Sequence, residues 1–138
     1  NQTEQAPRAE TKEGMKKILY AEDSGFFRNT VKKYLEDDGF CVLDAENGQK
    51  AWDLLDENAD DVAVVLTDVE MPVLDGLGLT KRARQDERFK DIPIIALTTL
   101  AGEEDVQQGL AEGITDYQIK IDKDGLLASV HSIMERYG

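Results

Sequence analysis

An α/β fold, with a five-stranded parallel sheet covered by helices on both faces, is predicted from three observations. Five short strand-like runs (Lys17 to Ala21, Phe40 to Ala45, Val62 to Leu66, Ile92 to Leu97 and Asp116 to Ile119) alternate along the chain with segments of helical periodicity. The run Val62 to Leu66 is rich in valine and lacks polar alternation, as a strand buried on both faces requires. Polar residues close the runs: Glu22 and Asp23, then Thr67 and Asp68, then Thr98 and Thr99, then Lys120. Right-handed crossovers would bring these ends to one edge of the sheet, where ligands of open α/β sheets bind.

A length of 138 residues suggests one domain, large enough to bury a core without staples. The single cysteine, Cys41, lies in an apolar run without a partner, which fits a structural thiol in a reducing compartment. A formal net charge of −13 argues against nucleic acid, whose phosphates this surface would repel, and suits a divalent cation or a basic partner. No run of about eighteen apolar residues is present and no secretory signal is evident, so a cytoplasmic protein without membrane insertion is expected.

Asn1 to Gly14 has alanine as its only aliphatic residue and no useful periodicity, so it is expected to be a disordered linker or an artificial leader ahead of a domain spanning 15–138. The first strand, Lys17 to Ala21, runs into Glu22 and Asp23. In the helix from Ser24 to Asp38, Phe27, Val31, Tyr34 and Leu35 share one face, Asp23 or Ser24 serves as the cap, and Gly39 as the stop. This turn holds Gly25 but no Gly-x-Gly-x-x-Gly, so the dinucleotide-binding reading fails at its first test. After the second strand, a helix from Gly48 to Asn58 turns Ala51, Leu54 and Leu55 inward, with Trp52 adjoining as packing.

Beyond Asp68, Pro72 prevents the third strand from continuing and Gly76 permits a tight turn into a helix from Leu77 to Arg84. The fourth strand ends at Thr98 and Thr99. The helix Glu103 to Glu112 contains Gly109, which signals either close packing or a need for mobility. The fifth strand, Asp116 to Ile119, leads to Lys120, and the last helix, Lys123 to Tyr137, has an inward stripe of Leu126, Leu127, Val130, Ile133, Met134 and Tyr137. His131 falls between stripe positions and reads as surface.

Glu22, Asp23, Asp68, Thr98 and Lys120 are thus expected at one edge. Three neighbouring carboxylates repel one another, and a hard divalent ion with oxygen ligands relieves them; Mg²⁺ fits best, because it uses few carboxylates together with phosphate oxygens. With that charge neutralised, Asp68 can act as nucleophile toward a phosphoryl group, with Lys120 on its equatorial oxygens and a threonine hydroxyl donating to it.

On these residues, Lys17 to Tyr137 resembles the response-regulator receiver domains, the CheY-like family. The spacing D-x-x-M-P-x-x-D-G is intact in Asp68, Met71, Pro72, Asp75 and Gly76. The resemblance implies a flavodoxin-like, doubly wound sheet of order 2-1-3-4-5. It also implies that Asp68 is the phosphoacceptor and that Asp23, Asp68 and the backbone carbonyl of Glu70 ligate Mg²⁺, with Glu22 one water away. Thr98 and Lys120 would grip the phosphoryl group, and Tyr117 would be the aromatic switch. The donor would be a histidine kinase or its phosphotransfer domain. The opening YAEDSGFFR and the ending KIDK resemble receivers fused to chemotaxis kinases or coupling proteins, so upstream fused domains are expected. The pattern is broken at Ile121, where the family has proline in a cis bond. A cis bond here would cost about 3 to 4 kcal/mol, so a trans bond and a differently shaped loop from Lys120 to Asp124 are expected.

Two other readings use the same residues. A Mg²⁺-dependent phosphatase with an aspartyl nucleophile would need a general acid at Glu70, where that family has aspartate, and a substrate cap that the sequence lacks. A receiver fold that binds its partner without phosphorylation would have no use for the full acidic set.

Overall fold

The computed structural model describes residues 16–98, 103–119 and 123–137. Its five strands, β1 (Lys17–Ala21), β2 (Cys41–Ala45), β3 (Val62–Asp68), β4 (Ile94–Thr98) and β5 (Asp116–Ile119), form one sheet in the order β2-β1-β3-β4-β5. Every pairing is parallel. The helices are α1 (Gly25–Asp37), α2 (Gly48–Glu57), α3 (Gly76–Arg84), α4 (Glu103–Glu112) and α5 (Lys123–Tyr137). This is the doubly wound fold expected from the sequence, with the chain reversing direction of travel across the sheet between β1 and β3.

Alternation along the strands divides the core into two layers. Leu19, Ala21, Val65, Ile94 and Ala96 face Ala51 and Leu55 of α2 and Leu79 and Ala83 of α3. Ile18, Tyr20, Val64, Leu66, Ile95 and Leu97 face Val31 and Leu35 of α1 and Leu126, Val130 and Ile133 of α5. β1, β3 and β4 are the sheet's inner strands, and Ile18, Leu19, Tyr20, Val64, Leu66, Ile95 and Leu97 have no exposed surface. Trp52 packs edge-on against Phe89, ring centroids 5.8 Å apart. His131 is exposed and pairs with Asp38 at 2.5 Å. No described helix is long and apolar enough to cross a membrane.

Several element ends differ from the sequence expectation by one or two residues, β3 running on to Asp68 and β4 to Thr98, and three of the shifts have a hydrogen-bonding reason. Phe40 stays outside β2 because its N–H donates to the Leu35 carbonyl at the end of α1. β4 begins at Ile94, since Pro93 has no N–H for the ladder, although its carbonyl still accepts from Val65. α3 starts one residue early, at Gly76, because the Asp75 carboxylate accepts from Gly78 N–H at 2.8 Å and so caps the helix. Ser24, rather than Asp23, caps α1 through Phe27 N–H, leaving the Asp23 carboxylate for other work.

Candidate functional site

The carboxyl ends of β1 and β3 lie side by side, with Ala21 opposite Thr67 in register. The next residue on each, Glu22 and Asp68, therefore stand together at the edge, and Asp23 follows. Carboxylate oxygens of Glu22, Asp23 and Asp68 all lie within 4.8 Å of one another. Glu22 has no exposed surface, Asp68 is 8% exposed, and Asp23 is exposed. On a small hard cation with metal–oxygen bonds of about 2.1 Å, opposite ligands are about 4.2 Å apart and neighbouring ones about 3.0 Å, so these oxygens would draw closer together to share one ion. Three anionic oxygen donors with no nitrogen or sulfur among them suit such a cation.

Glu22 is held at several points. The Tyr20 hydroxyl donates to its Oε1 at 3.3 Å, and the Ser24 N–H donates to Oε2 at 3.1 Å. The guanidinium of Arg28, one turn into α1, donates to the Glu22 carbonyl at 2.9 Å and lies 3.5 Å from the Asp44 carboxylate. Burial, together with the Glu22 and Asp68 charges, pushes the Tyr20 phenol far above its ordinary range, so it remains a donor. Neither Tyr20 nor Arg28 stood out in the sequence. The available signal was the i, i+2 spacing of Tyr20 and Glu22 along one extended face; no spacing marked Arg28, whose partners are a backbone carbonyl and Asp44 of the neighbouring strand.

Asp68 is braced from behind. Gly76 is buried against it, and a Cβ on that glycine would run into the Asp68 carbonyl oxygen and lie 3.1 Å from Val69 Cα. Gly76 N–H also donates to the Val69 carbonyl at 2.8 Å, which closes the turn over the strand end. Within the turn, Val73 is 80% exposed and has a φ of 72°, a conformation a β-branched residue seldom adopts. Glu70 is exposed in the same turn.

Thr98 ends β4 half-buried, one residue beyond Leu97, the register partner of Asp68. Tyr117 pairs with Ala96 in β5, and its ring lies against α4 at Gly109. Lys120 and Ile121, and with them the expected shape of their loop, lie outside the described residues.

A family model described as the response regulator receiver domain matches residues 18–131. Chemotaxis protein CheY1 of Helicobacter pylori is 44% identical over 105 residues, 75% of this chain and 84% of that protein. The sensor histidine kinase CheAY of the same species is 33% identical over 104 residues, 75% of this chain but 13% of that longer protein. Among solved structures, chemotaxis protein CheY4 of Vibrio cholerae aligns with a TM-score of 0.80 at 32% identity, covering 86% of this chain and 98% of its own. Fold, edge acids and these likenesses agree: the chain belongs to the response regulator receiver domain family.

Proposed function

We propose that Asp68 is the phosphoacceptor of a two-component signalling receiver, and that Glu22, Asp23 and Asp68, with the Glu70 carbonyl, form a Mg²⁺ site. The observation that carries this reading is the meeting of three carboxylates from two strand ends, within 4.8 Å, beside a buried strand that delivers Asp68. A carboxylate oxygen of Asp68 attacks the phosphorus of a phosphohistidine; the P–N bond breaks, its electron pair returns to the imidazole, and an acyl phosphate forms. Bound Mg²⁺ supplies positive charge for the phosphoryl oxygens as they pass through the transition state. Thr98 donates its hydroxyl to the bound phosphoryl group and Lys120 adds a second positive charge. Water later attacks the acyl phosphate and restores Asp68. No other substrate is turned over.

Phe26, 73% exposed on the first turn of α1, and Val73, 80% exposed in the turn after β3, offer apolar contacts just beyond the acidic residues, suited to a docking donor domain. A histidine kinase or its phosphotransfer domain is the donor on this reading. The likeness to CheY1 and to CheAY supports a chemotaxis-type pathway. The reading extends to a place in the cytoplasm and to residues 1–14 as a linker from fused kinase or coupling domains to a receiver spanning 15–138. Tyr117 turns inward after Thr98 engages the phosphoryl group, and the altered surface of α4, β5 and α5 is read by a partner.

Intact-mass spectrometry with acetyl phosphate and Mg²⁺ tests the proposal. One labile phosphoryl group should add to the wild type and none to Asp68→Asn. An unchanged mass in the wild type at saturating donor would sink it, and sustained turnover of added phosphomonoesters would point to a phosphatase instead.

A further inference from the structure

We propose that Tyr20 is a positioning residue for the metal site: its buried hydroxyl fixes the Glu22 carboxylate and thereby sets both the affinity of the site and its preference for a small cation. The inference rests on the metal reading of the acidic cluster given above.

Strand alternation places Tyr20 and Glu22 on the same face of the chain, two residues apart, and both lack exposed surface. Tyr20 sits opposite Leu66 in β3 and Asp44 in β2, its ring enclosed in the layer that includes Val31, Leu35 and Leu66. The ring cannot swing away without opening that layer, so the hydroxyl is a fixed donor. It holds Glu22 Oε1 at 3.3 Å while the Ser24 N–H holds Oε2 at 3.1 Å. A glutamate has one more side-chain torsion than an aspartate, and two donors on its two oxygens remove that freedom before any ion arrives.

An ionised carboxylate offers about four lone-pair positions, more than the Tyr20 and Ser24 donors take up. Selectivity between Mg²⁺ and Ca²⁺ depends on how rigidly the oxygens are held, because Mg²⁺ demands near-ideal octahedral geometry and Ca²⁺ accepts looser arrangements. A Glu22 held at both oxygens favours the smaller ion. Groups that orient ligands from behind contribute about tenfold or more to metal affinity.

Calorimetric titration of the full chain with Mg²⁺ and with Ca²⁺ tests this, comparing wild type, Tyr20→Phe, Glu22→Asp and the double variant. Tyr20→Phe should bind Mg²⁺ roughly tenfold more weakly, with the loss of Ca²⁺ affinity smaller, so that the ratio of the two narrows. In the Glu22→Asp background, where the shortened carboxylate no longer meets the hydroxyl, Tyr20→Phe should add almost nothing. Equal Mg²⁺ affinity and an unchanged ratio in Tyr20→Phe, or the same loss in both backgrounds, overturns the positioning role. A wild type that takes up no Mg²⁺ overturns the metal reading itself, a distinct result. Should Tyr20→Phe fail to fold, the wild type decides: the Tyr20 ring resonances should move on Mg²⁺ saturation, and resonances that stay in place overturn the inference.

Discussion

The phenol of Tyr117 occupies the space that a side chain on Gly109 would need: a Cβ there would meet the hydroxyl oxygen and lie 2.7 Å from Cζ. The helical glycine is a seat for the ring on α4. Close packing, one of the two explanations for an interior glycine, therefore accounts for it. The same helix is fastened one turn further on, at its C-terminal end, where Arg84 of α3 donates to the Gly113 carbonyl at 2.7 and 3.0 Å and Lys81 lies 3.3 Å from Glu112. α4 thus meets β5 through an aromatic ring at one place and α3 through charges at another.

Replacing Gly109 by alanine should unseat the ring. The helix gains about 1 kcal/mol of intrinsic propensity, but only if Tyr117 gives way, since the flexible partner here is the side chain and not the helix backbone. The expected outcome is a change in the Tyr117 ring resonances and loss of its nuclear Overhauser contacts to α4, with melting temperature kept or raised. Preserved contacts would show that the helix shifts instead of the ring.

Gly76 allows no such adjustment, because the atom a Cβ would strike is the backbone of Asp68 itself. Gly76→Ala should displace the strand end and the turn together. A destabilisation of about 1–3 kcal/mol, as in overpacked interiors, is expected by urea denaturation, with slower acetyl-phosphate labelling of Asp68. Wild-type stability and labelling in this variant would mean that the turn yields freely.

Much of this arrangement is legible in the sequence for a simple reason. Strands such as Val62–Asp68 and Ile94–Thr98 are buried on both faces, so composition alone marks them, and their ends carry Asp68 and Thr98 to the edge without any knowledge of the loops. Glu22 and Asp23 are marked in the same way by β1. What the sequence does not disclose depends on the direction of approach. The donation from Tyr20 to Glu22 and from Arg28 to the Glu22 carbonyl needs the rotamers, and the two meanings of Gly109 differ only in whether a ring arrives from β5. The ends of β2 and β4 shift for a related cause: Phe40 and Pro93 are apolar enough for a strand, but the N–H of one is spent on α1 and the other has none.

Arg84 should prove the strongest polar link outside the site. Its half-buried guanidinium donates to the Gly113 carbonyl, to the Phe89 carbonyl at 2.9 Å and, at 3.5 Å, to the Thr115 hydroxyl. Arg84→Met keeps much of the stem but leaves carbonyl acceptors without this donor, at a cost of about 1–3 kcal/mol. Arg84→Lys should recover little of it, since an ammonium cannot reproduce the planar fork. Urea midpoints of the two variants measure this, and full recovery by lysine would assign the effect to charge alone.

Metal and the acidic cluster should be linked through stability. Without a cation, three carboxylate oxygens within 4.8 Å repel one another, two of them on buried or nearly buried side chains. An ion that binds only the folded chain stabilises it by about 2.7 kcal/mol at one hundred times its dissociation constant. Asp68→Asn removes one of the mutually repelling charges and one of the ligands together, so its two effects have opposite signs. In EDTA the variant should melt above the wild type, because repulsion has been relieved; with Mg²⁺ the wild type should rise and the variant should rise far less, so that the gap closes or reverses. Thermal melts of both proteins with and without Mg²⁺ measure the four values. A variant that melts below the wild type in EDTA would mean that Asp68 is compensated within the folded chain and that its charge is not a burden the cation relieves.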